Sequence, residues 1–301
     1  MSIAFTEMLS AEDVKFFRGY SLKQSNTFKI GGAAPLAVFP KNKEEAVLVI
    51  RGLLEEGLDY LTLGNGSNVL ISDDGTGKII VFTSDMSGIS FHEEADFTYI
   101  TADAGVKLSA LAKVAAEKSL KGLEFAFGIP GTVGGAVRMN AGAYGGEIRD
   151  VVTDTLYIDD SGDIQHCAGD AHRFGYRTSI FTDRDFIASS VFRLQKGDPQ
   201  EIASKMTDYM NRRKEKQPLE YPSAGSVFKR PEGHFAGALI EQCGLKGFQI
   251  GGAMVSEKHA GFIINVGGAT CRDVRALIAH IQKTVKDQTG VTLEPEVRFV
   301  D

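Results

Sequence analysis

The sequence predicts an α+β protein in which a larger first unit precedes a smaller α/β domain. Two observations predict this class. Apolar runs with strand character alternate with segments whose apolar residues recur at helical spacing, and no repeat of fixed length is present. In addition, the segment KQPLEYPSAG (216–225) contains two prolines in quick succession, which is typical of a domain boundary.

In the first unit, apolar residues at helical spacing predict helices over 10–18, 43–56 and 107–119. Alternating or continuous apolar runs predict strands at 35–40, 61–64, 68–72, 78–82, 97–102, 151–159, 163–167 and 185–195. The runs 151–159 and 163–167 are expected to form a hairpin across the turn residues Asp160, Ser161 and Gly162.

A helix is predicted over 198–215, ahead of the proline-containing boundary, because Asp198 is a good N-cap and Pro199 suits the first helical position. The remaining patterns predict helices at 234–242 and 271–289 and strands at 251–256, 260–266 and 297–300. The alternation of strands and helices predicts the smaller α/β domain.

Composition excludes several functional classes. The 301 residues carry a net charge of −6, which argues against a general nucleic-acid partner, because such binding needs a basic face. No apolar run approaches the roughly 20 residues that span a bilayer, and the N-terminus lacks a secretory signal. Three scattered cysteines, and histidines without HxxxH or HExxH spacing, predict no disulfide framework and no metal site. We expect a reducing, cytoplasmic setting.

The most distinctive stretch is 122–147, where eight glycines lie among small apolar residues. Such a backbone is poor as regular structure, because each interior glycine costs up to about 1 kcal/mol. It is suited to the close approach of a large ligand held by main-chain N–H groups, and a dinucleotide with its pyrophosphate is the expected guest. Close packing between backbones is the alternative explanation.

A second glycine motif, GNGSNV (64–69), supports the same expectation. It lacks the third glycine of a Rossmann fingerprint and precedes a strand-like run, which argues against a Rossmann dehydrogenase. Alone it is explained by a tight turn. Together with GIPGTVGG (128–135), it predicts two loops that grip the two phosphates of one dinucleotide.

Three polar residues outside these loops are candidates for chemistry. Arg177 lies among aromatic and apolar neighbours, where a guanidinium can clamp a carboxylate with two hydrogen bonds. Ser226 is flanked by small residues that leave its hydroxyl accessible, and Glu296 lies in a predicted strand. An ion pair for the arginine, a turn hydroxyl for the serine and a solvent-facing position for the glutamate are the alternatives, and the residues alone leave them open.

Taken together, the motifs resemble one family. The stretches that carry the resemblance are NTFKIGG (26–32), LGNGSNVLI (63–71), GIPGTVGGAVRMNAGAYG (128–145), FGYRTSIF (174–181), PSAGSVFKRP (222–231), KHAGFIIN (258–265) and LEPEVRFV (293–300). Their order and types are similar to those of the UDP-N-acetylenolpyruvoylglucosamine reductases, also called UDP-N-acetylmuramate dehydrogenases. The resemblance runs from about residue 20 to the C-terminus.

The resemblance implies a two-lobed FAD-binding unit of the vanillyl-alcohol-oxidase/PCMH type plus a C-terminal α/β substrate-binding domain. The implied bounds are 1–200 for the first, with lobes at about 1–88 and 89–200, and 201–301 for the second. FAD is the implied dinucleotide, non-covalently held because the first loop has no histidine, and NADPH is the implied electron donor. The implied substrate is UDP-N-acetylglucosamine enolpyruvate, a precursor of peptidoglycan.

Site residues carry over from the family by position. Catalytic roles fall on Arg177, Ser226 and Glu296. Cofactor contacts fall on Gly64, Asn65, Gly66, Ser67, Asn68, Gly128, Ile129, Pro130, Gly131, Thr132, Gly134, Gly135, Asn140, Gly142 and Ala143. Substrate contacts fall on Tyr176, Arg213, Lys216, Gly225 and Arg230, with Lys216 on the position that meets the diphosphate.

The implied chemistry makes physical sense of these residue types. Hydride from the reduced flavin adds to the β-carbon of an enolpyruvyl ether, and Arg177 stabilises the charge that develops on the carboxylate. Glu296, kept protonated by burial, donates a hydrogen bond to the enolate. Ser226 protonates the α-carbon, since the carbanion-like acceptor is strongly basic.

Two departures from the family pattern are visible. The chain between Arg177 and Ser226 is short, so it is similar to the type that lacks a tyrosine-bearing loop over the sugar nucleotide. Arg230 stands where other members have asparagine, and it either holds a phosphate or is exposed. Two other functions compete: a different flavin oxidase of the same fold, which does not need the three catalytic residues together, and a sugar-nucleotide binder without flavin.

Overall fold

The computed structural model describes residues 3–301. Its α-helices are α1 (Ile3–Ala11), α2 (Lys43–Glu55), α3 (Leu108–Glu117), α4 (Val133–Arg138), α5 (Pro199–Lys216), α6 (Ala236–Gln242) and α7 (Cys271–Thr289). The strands up to residue 121 are β1 (Lys15–Ser21), β2 (Ala33–Phe39), β3 (Tyr60–Leu63), β4 (Val69–Ile71), β5 (Ile79–Phe82), β6 (Ile89–Glu93), β7 (Thr98–Asp103) and β8 (Leu120–Lys121). The later strands are β9 (Gly142–Ala143), β10 (Gly146–Glu147), β11 (Val152–Ile158), β12 (Ile164–Ala168), β13 (Phe186–Lys196), β14 (Ser223–Ser226), β15 (Gln249–Ile250), β16 (Ala253–Val255), β17 (Phe262–Asn265) and β18 (Arg298–Val300).

The chain divides into two compact units that differ from the expected domain bounds. Unit 1 contains the residues up to 19 together with 35–65 and 78–212, and unit 2 contains 20–34, 66–77 and 213–301. Two short N-terminal segments therefore belong to the C-terminal unit, and the boundary lies at 212/213 instead of 200/201. The physical reason is burial: Phe28, Ile30 and Leu70 pack into the same core as residues of the C-terminal segment.

Unit 1 is built on two large sheets. In the first, of order β1-β2-β5-β3, strands β2 and β3 each pair in parallel with β5. Helix α2 begins at the Asn42 side chain, which accepts from the N–H of Glu45, and buries Val49, Ile50 and Leu53 in the core of this sheet. Strand β3 leads directly into the first glycine loop, so this sheet sets where that loop starts.

The second sheet of unit 1 is antiparallel, with strand order β12-β11-β13-β7-β6. The predicted hairpin is present as β11 and β12, and β13 is the long strand that pairs with both β11 and β7. Helix α3 buries Leu108 and Leu111 in the core of this half. The arginine-bearing segment 173–180 leaves this half between β12 and β13.

Unit 2 is built on the antiparallel sheet β14-β17-β16-β15 and the helices α6 and α7. Helix α7 starts with a capping box in which Thr270 and Asp273 exchange hydrogen bonds, and the left-handed Gly290 ends it. The carboxylate of Asp73 also accepts the N–H groups of Cys271 and Arg272, at 2.7 and 3.1 Å. This contact and the parallel β4–β18 pair hold segment 66–77 in the unit.

The structure differs most from expectation at the N-terminus, where the helix predicted over 10–18 is wrong. Helix α1 ends at Ala11, and Asp13 takes a left-handed φ of 55° that turns the chain into strand β1. The ring of Phe17 then packs edge-on to Phe39 of β2, with the centroids 5.8 Å apart. Pairing with β2 decides the conformation there, against an apolar spacing that also fits a helix. Helix α4 and strand β6 were not predicted from the sequence.

Three features of residues 3–301 bear on the expected functional class. No helix in this range has both the length and the apolar character needed to cross a membrane. The same range contains no group of three or more His, Cys, Asp or Glu side chains placed to hold a metal ion. Cys167, Cys243 and Cys271 are free thiols, and burial raises the pKa of each.

Candidate active site

The two glycine loops meet within unit 1. The Nδ2 of Asn65, in the first loop, donates a hydrogen bond of 2.6 Å to the carbonyl of Pro130 in the second. Gly64 lies so close to Thr132 that an added Cβ would stand 2.2 Å from its Oγ1. A side chain at position 64 is therefore excluded, and the two backbones form one cradle, which we call the loop pair.

The loop pair has the features that a phosphate-bearing cofactor requires. Thr132 is 4% exposed, and its Oγ1 is a buried hydroxyl without a hydrogen-bond partner among the described residues. Such a group costs free energy until a ligand or water satisfies it. Gly135 is exposed, and a Cβ placed there would meet only Thr132 Oγ1, at 3.8 Å. The residues present thus fit a bound diphosphate.

The second loop is fastened to its surroundings by main-chain hydrogen bonds. Leu108 N donates to Gly131 O at 3.0 Å, and Val133 N and Gly134 N donate to Val106 O and Ala104 O at 2.9 Å each. The first turn of α4 follows directly. Gly134 is needed for close packing, because a Cβ would lie 2.9 Å from that of Ala104. Packing explains this glycine, whereas Gly135 has free space.

Downstream of α4, the rest of the glycine-rich stretch is a hairpin. Strands β9 and β10 are joined by Tyr144 and Gly145, with φ of 54° and 87°, as a type I′ turn requires. A Cβ on Gly146 would stand 2.6 Å from the Phe125 ring. Gly142 and Ala143, expected as cofactor contacts, form β9. Here, too, close packing accounts for part of the glycine content.

Asn140 is the polar centre of this region. It is fully buried, and its Nδ2 donates to Glu147 Oε2 at 2.7 Å and to Gly175 O at 3.0 Å. Its Oδ1 accepts from Arg149 N at 3.0 Å. The side chain of this expected cofactor contact is thus used within the protein, where it ties the hairpin to the arginine-bearing segment.

Arg177 lies at the tip of that segment. It has a left-handed φ of 57° and lies inside the tight turn that the bridge between Gly175 and Thr178 closes. Its Nη2 donates to Gly142 O at 3.0 Å, and its Cζ lies 5.0 Å from the centroid of the Tyr176 ring. Both side chains retain solvent contact, and Tyr176 is 47% exposed. The guanidinium is therefore oriented by a carbonyl and a ring and is still accessible to a ligand.

The charge next to Arg177 is supplied by Glu147. Partial burial raises the pKa of this carboxyl. Hydrogen bonds from Arg149 and Asn140, together with the positive charges of Arg149 and Arg177, lower the pKa by more than burial raises it. The net result is a pKa below the ordinary value of a glutamate. Glu147 is thus ionised at neutral pH and helps to hold Arg177 in place.

In unit 2, Ser226 is presented by a β-bulge. Strand β14 pairs with β17 at Ser223–Ile264 and Ser226–Phe262, so that one residue is extra on the β14 side. Gly225 carries the bend with a φ of 74°, a conformation that costs other residues about 1–2 kcal/mol. The bulge leaves Ser226 exposed. Gly225, expected as a substrate contact, has this clear structural role.

Glu296 lies on the backbone segment that runs beside Ser226. Its N–H donates to the carbonyl of Val227, the next residue, at 2.7 Å, and Phe228 and Pro295 form a bridge. Asn68 of the first loop donates a hydrogen bond from Nδ2 to Glu296 O at 3.2 Å. Its backbone carbonyl accepts a hydrogen bond from Arg298 N at 3.0 Å. Unit 2 thus brings Ser226, Glu296 and Asn68 together.

The other residues of the first loop are held in the same unit. Gly66 has a φ of 58°, and a Cβ there would stand 2.6 Å from Ser25 O. Thr27 N donates to Gly66 O at 3.2 Å. Ser67 lies between Gly66 and Asn68 and is half-buried. Gly66 therefore cannot be replaced without moving segment 20–34.

The basic substrate candidates lie on two parts of unit 2. Arg213 and Lys216 are three positions apart in the last turn of α5 and so share a helix face, with Lys216 exposed. Lys258 Nζ donates to Lys214 O at 2.7 Å and so satisfies a carbonyl at the end of that helix. Arg230 is exposed and lies over the Phe235 ring, 4.5 Å from its centroid.

Two residues that sequence reasoning missed support these positions. His259 accepts Gly261 N on its Nδ1 at 3.1 Å, and Gly261 O in turn accepts Val227 N at 2.9 Å, next to Ser226. His172 is completely buried beneath the Arg177 segment. No spacing signal reveals either one, because their partners are distant in sequence or main-chain atoms.

Comparison with known proteins places the chain. A family model described as UDP-N-acetylenolpyruvoylglucosamine reductase, C-terminal domain, matches residues 217–300, and an FAD binding domain model matches residues 34–168. A protein named UDP-N-acetylenolpyruvoylglucosamine reductase from Caldicellulosiruptor saccharolyticus is 46% identical over 299 residues, 98% of this chain and 95% of the relative. Its namesake from Lachnoclostridium phytofermentans is 47% identical over 281 residues, 93% and 91% of the two chains.

Solved structures agree. The UDP-N-acetylenolpyruvylglucosamine reductase of Thermus caldophilus has a TM-score of 0.79 and 31% identity, covering 96% of this chain and 99% of that one. An alkyldihydroxyacetonephosphate synthase has a TM-score of 0.50 and 14% identity over 65% of this chain and 44% of its own, which shows the fold alone. The expected fold class, an FAD-binding unit of the vanillyl-alcohol-oxidase/PCMH type with a C-terminal domain, is confirmed. Because the likeness spans nearly the full length of this chain and of its relatives, the chain belongs to the UDP-N-acetylenolpyruvoylglucosamine reductase family of FAD-dependent oxidoreductases.

Proposed function

We propose that the protein reduces UDP-N-acetylglucosamine enolpyruvate to UDP-N-acetylmuramate, a step of peptidoglycan precursor synthesis, with NADPH as the electron donor. The observation that carries the proposal is the near-full-length identity of 46% to relatives named for this reaction. The balanced reaction consumes one NADPH and one proton and saturates the enolpyruvyl double bond. The cytoplasmic setting stays a prediction from the cysteine usage.

The loop pair fits the cofactor, and we propose that it holds the FAD diphosphate. When bound, FAD supplies the hydride that the enolpyruvyl β-carbon receives. The unpartnered Thr132 hydroxyl and the open space at Gly135 support this assignment, because both are explained by a ligand that the chain itself does not provide. Asn65 and Pro130, hydrogen-bonded to each other, keep the two loops in register.

Arg177 is proposed to bind the carboxylate of the enolpyruvyl group. Hydride addition at the β-carbon sends electrons toward that carboxylate, so a fixed guanidinium stabilises the transition state more than the ground state. The hydrogen bond to Gly142 O and the contact with the Tyr176 ring support this role, since they orient the guanidinium in advance.

Ser226 is proposed to deliver the proton to the α-carbon. A serine hydroxyl is a weak acid, but a well-placed donor is effective toward a strongly basic carbanion-like centre. Exposure of Ser226 at the bulge supports its access to a substrate. Glu296, protonated, is proposed to donate a hydrogen bond to the developing enolate, and its N–H bond to Val227 O keeps it beside Ser226.

Lys216 and Arg213 are proposed to bind the substrate diphosphate. They share one face of the last turn of α5, where two positive charges lie three positions apart, and a diphosphate carries two negative charges. For Arg230, the position over the exposed Phe235 ring is compatible with phosphate binding.

The two half-reactions test the proposal directly. In anaerobic stopped flow, the holoenzyme should lose its yellow colour with NADPH and regain it with UDP-N-acetylglucosamine enolpyruvate. We expect Ser226→Ala to leave flavin reduction intact and to slow substrate-driven reoxidation by at least about a hundredfold. Ser223→Ala, on the same strand, is the matched control and should match the wild type. Near wild-type rates in both half-reactions of Ser226→Ala would falsify the acid assignment, and a protein that stays colourless after reconstitution with FAD contradicts the function.

The cofactor site has an independent test in Gly135→Ala. The new methyl has space in the protein and replaces glycine in a helix, so the apoprotein should be as stable as the wild type or up to about 1 kcal/mol more stable. If FAD lies against Gly135, its affinity should fall, as measured by fluorescence titration. Gly77→Ala, where a Cβ also meets nothing within 4 Å, is the control with unchanged affinity. If both variants bind FAD with the same affinity, the diphosphate does not lie against Gly135.

A further inference from the structure

A chain of buried polar side chains lies beneath the segment that carries Arg177. His172, Thr155 and Ser190 are all 0% exposed. The imidazole Nε2 lies 2.9 Å from Thr155 Oγ1, and that oxygen lies 3.1 Å from Ser190 Oγ. The other ring nitrogen, Nδ1, lies 2.9 Å from Gly169 O. Each polar side-chain atom of these three residues therefore has a hydrogen-bond partner.

The carbonyl of Gly169 fixes the direction of one of these hydrogen bonds. A carbonyl oxygen only accepts, so Nδ1 carries a proton and donates to Gly169 O. When the imidazole is neutral, Nε2 accepts from the Thr155 hydroxyl, and Thr155 in turn accepts from Ser190. The imidazole is thereby held in one ring orientation, because a half-turn of the ring would break both of its bonds.

These hydrogen-bonded side chains run from the antiparallel sheet to the arginine-bearing segment. Thr155 of β11 and Ser190 of β13 stand directly opposite each other in the antiparallel ladder. His172 immediately precedes the segment 173–180, here called the arginine loop. Its carbonyl accepts Ile180 N at 2.8 Å, so the same residue closes the loop at both ends.

The imidazole also packs against two aromatic rings, one near each end of the arginine loop. Phe174 stacks on it with centroids 4.8 Å apart and planes 8° from parallel, and Phe181 meets it edge-on at 6.0 Å. A rotation of the imidazole would displace both rings and with them the backbone on either side of Arg177. The orientation of one buried ring is therefore coupled to the position of the guanidinium.

We infer that His172, oriented by Thr155 and Ser190, is a positioning residue that fixes the arginine loop and thereby the guanidinium of Arg177. Asn140 holds the tip of the loop through Gly175 O, and His172 holds its base. An apolar ring of the same size fills the space but leaves Thr155 without its acceptor and is free to rotate. This inference rests on the proposed function, because the effect on catalysis passes through the role of Arg177.

The test removes the Thr155 hydroxyl that orients the imidazole and keeps the shape of the side chain at position 155. Thr155→Val is compared with Thr155→Ser, which keeps the hydroxyl, and with the matched control Thr153→Val on the same strand. The first readout is hydrogen exchange of peptides that cover 173–181, with the turn 159–163 as internal reference. The second is the pair of half-reactions of the holoenzyme. His172→Phe, which keeps the ring but neither nitrogen, is the second variant if Thr155→Val does not fold.

We expect Thr155→Val to exchange faster by about tenfold or more at 173–181 and to slow substrate-driven reoxidation by about ten- to a hundredfold, with NADPH-driven reduction unchanged. Thr155→Ser should restore both readouts, and Thr153→Val should leave them as in the wild type. Unchanged exchange at 173–181 overturns the inference, and so does faster exchange with an unchanged reoxidation rate or with equal losses in both half-reactions. A wild type that does not turn over the substrate contradicts the proposed function instead, and the exchange result then still decides whether His172 orders the loop.

Discussion

The proposed catalytic residues of the two units are held in different ways. In unit 2, Ser226 and Glu296 lie on neighbouring backbone segments, and main-chain hydrogen bonds such as Glu296 N to Val227 O set their positions. In unit 1, Arg177 lies on an irregular loop that side chains hold, chiefly Asn140 and His172. Main-chain hydrogen bonds persist when a side chain is replaced, whereas a loop held by side chains loses its hydrogen bonds when one of those side chains is replaced. Substitutions around Arg177 should therefore cost more than those around Ser226.

Asn140→Ala should show the largest effect. The substitution removes the hydrogen bonds of Asn140 with Gly175 O, Glu147 Oε2 and Arg149 N, and it places alanine at a φ of 41°. We expect the free energy of unfolding to fall by about 3 kcal/mol, measured by urea denaturation of the full-length protein. Asn211→Ala on the exposed face of α5 is the control and should stay within about 0.5 kcal/mol of the wild type. If Ser226→Ala destabilises the protein as much as Asn140→Ala, the contrast between the units is wrong.

Gly225→Ala should have an intermediate effect, because it places a side chain at the left-handed backbone position that presents Ser226. No atom lies within 4 Å of the new Cβ, so the cost is backbone strain of about 1–2 kcal/mol at a φ of 74°. The bulge either stores this strain or relaxes and moves Ser226, and in the second case reoxidation by substrate slows. Gly77→Ala, with the same open space and no positive φ, is the comparison in both urea unfolding and stopped flow. Identical behaviour of the two variants shows that the bulge does not position Ser226.

The smallest effect should be the pH dependence that His259 gives to unit 2. Burial lowers the pKa of this imidazole, and its Nδ1 is occupied by Gly261 N–H. A lowered folded-state pKa means that the unfolded chain takes up a proton first. The stabilisation is thus complete above the unfolded pKa of about 6.5 and is lost as the pH falls through the folded value.

His259→Asn keeps an acceptor for Gly261 N–H and removes the titration. Urea unfolding between pH 7.5 and pH 5.5 should therefore show a shallower loss of stability in this variant than in the wild type. A variant whose slope equals that of the wild type assigns the acid sensitivity to other groups.

Much of the fold was predictable because its signals are local. Helices α2, α3 and α7 follow from apolar spacing, helix α5 from its cap Asp198 and from Pro199, and the β11–β12 hairpin from its turn residues. The strand after the first glycine loop was also predicted correctly, and it excluded a Rossmann turn. The helix over 10–18 was wrong because pairing with β2, a long-range contact, decides that segment.

The glycine-rich stretch shows where local reasoning stops. Its composition indicated a ligand cradle, but the structure divides the glycines between two uses. Gly134 and Gly146 allow close packing against Ala104 and Phe125, whereas Gly135 is open to solvent. Only the neighbours in space separate these uses, and those neighbours are distant in sequence or belong to another element.

By itself the sequence determined the α+β class, the two glycine loops, the family resemblance and the three polar residues proposed for catalysis, since these depend on residue types and their order. The tertiary structure alone decided that segments 20–34 and 66–77 belong to unit 2 and that side chains hold Arg177. The reason is physical: Asn140 and Gly175 are 35 positions apart and His172 and Thr155 are 17 apart. Such hydrogen bonds exist only once the chain has folded, and they leave no periodic trace in the sequence.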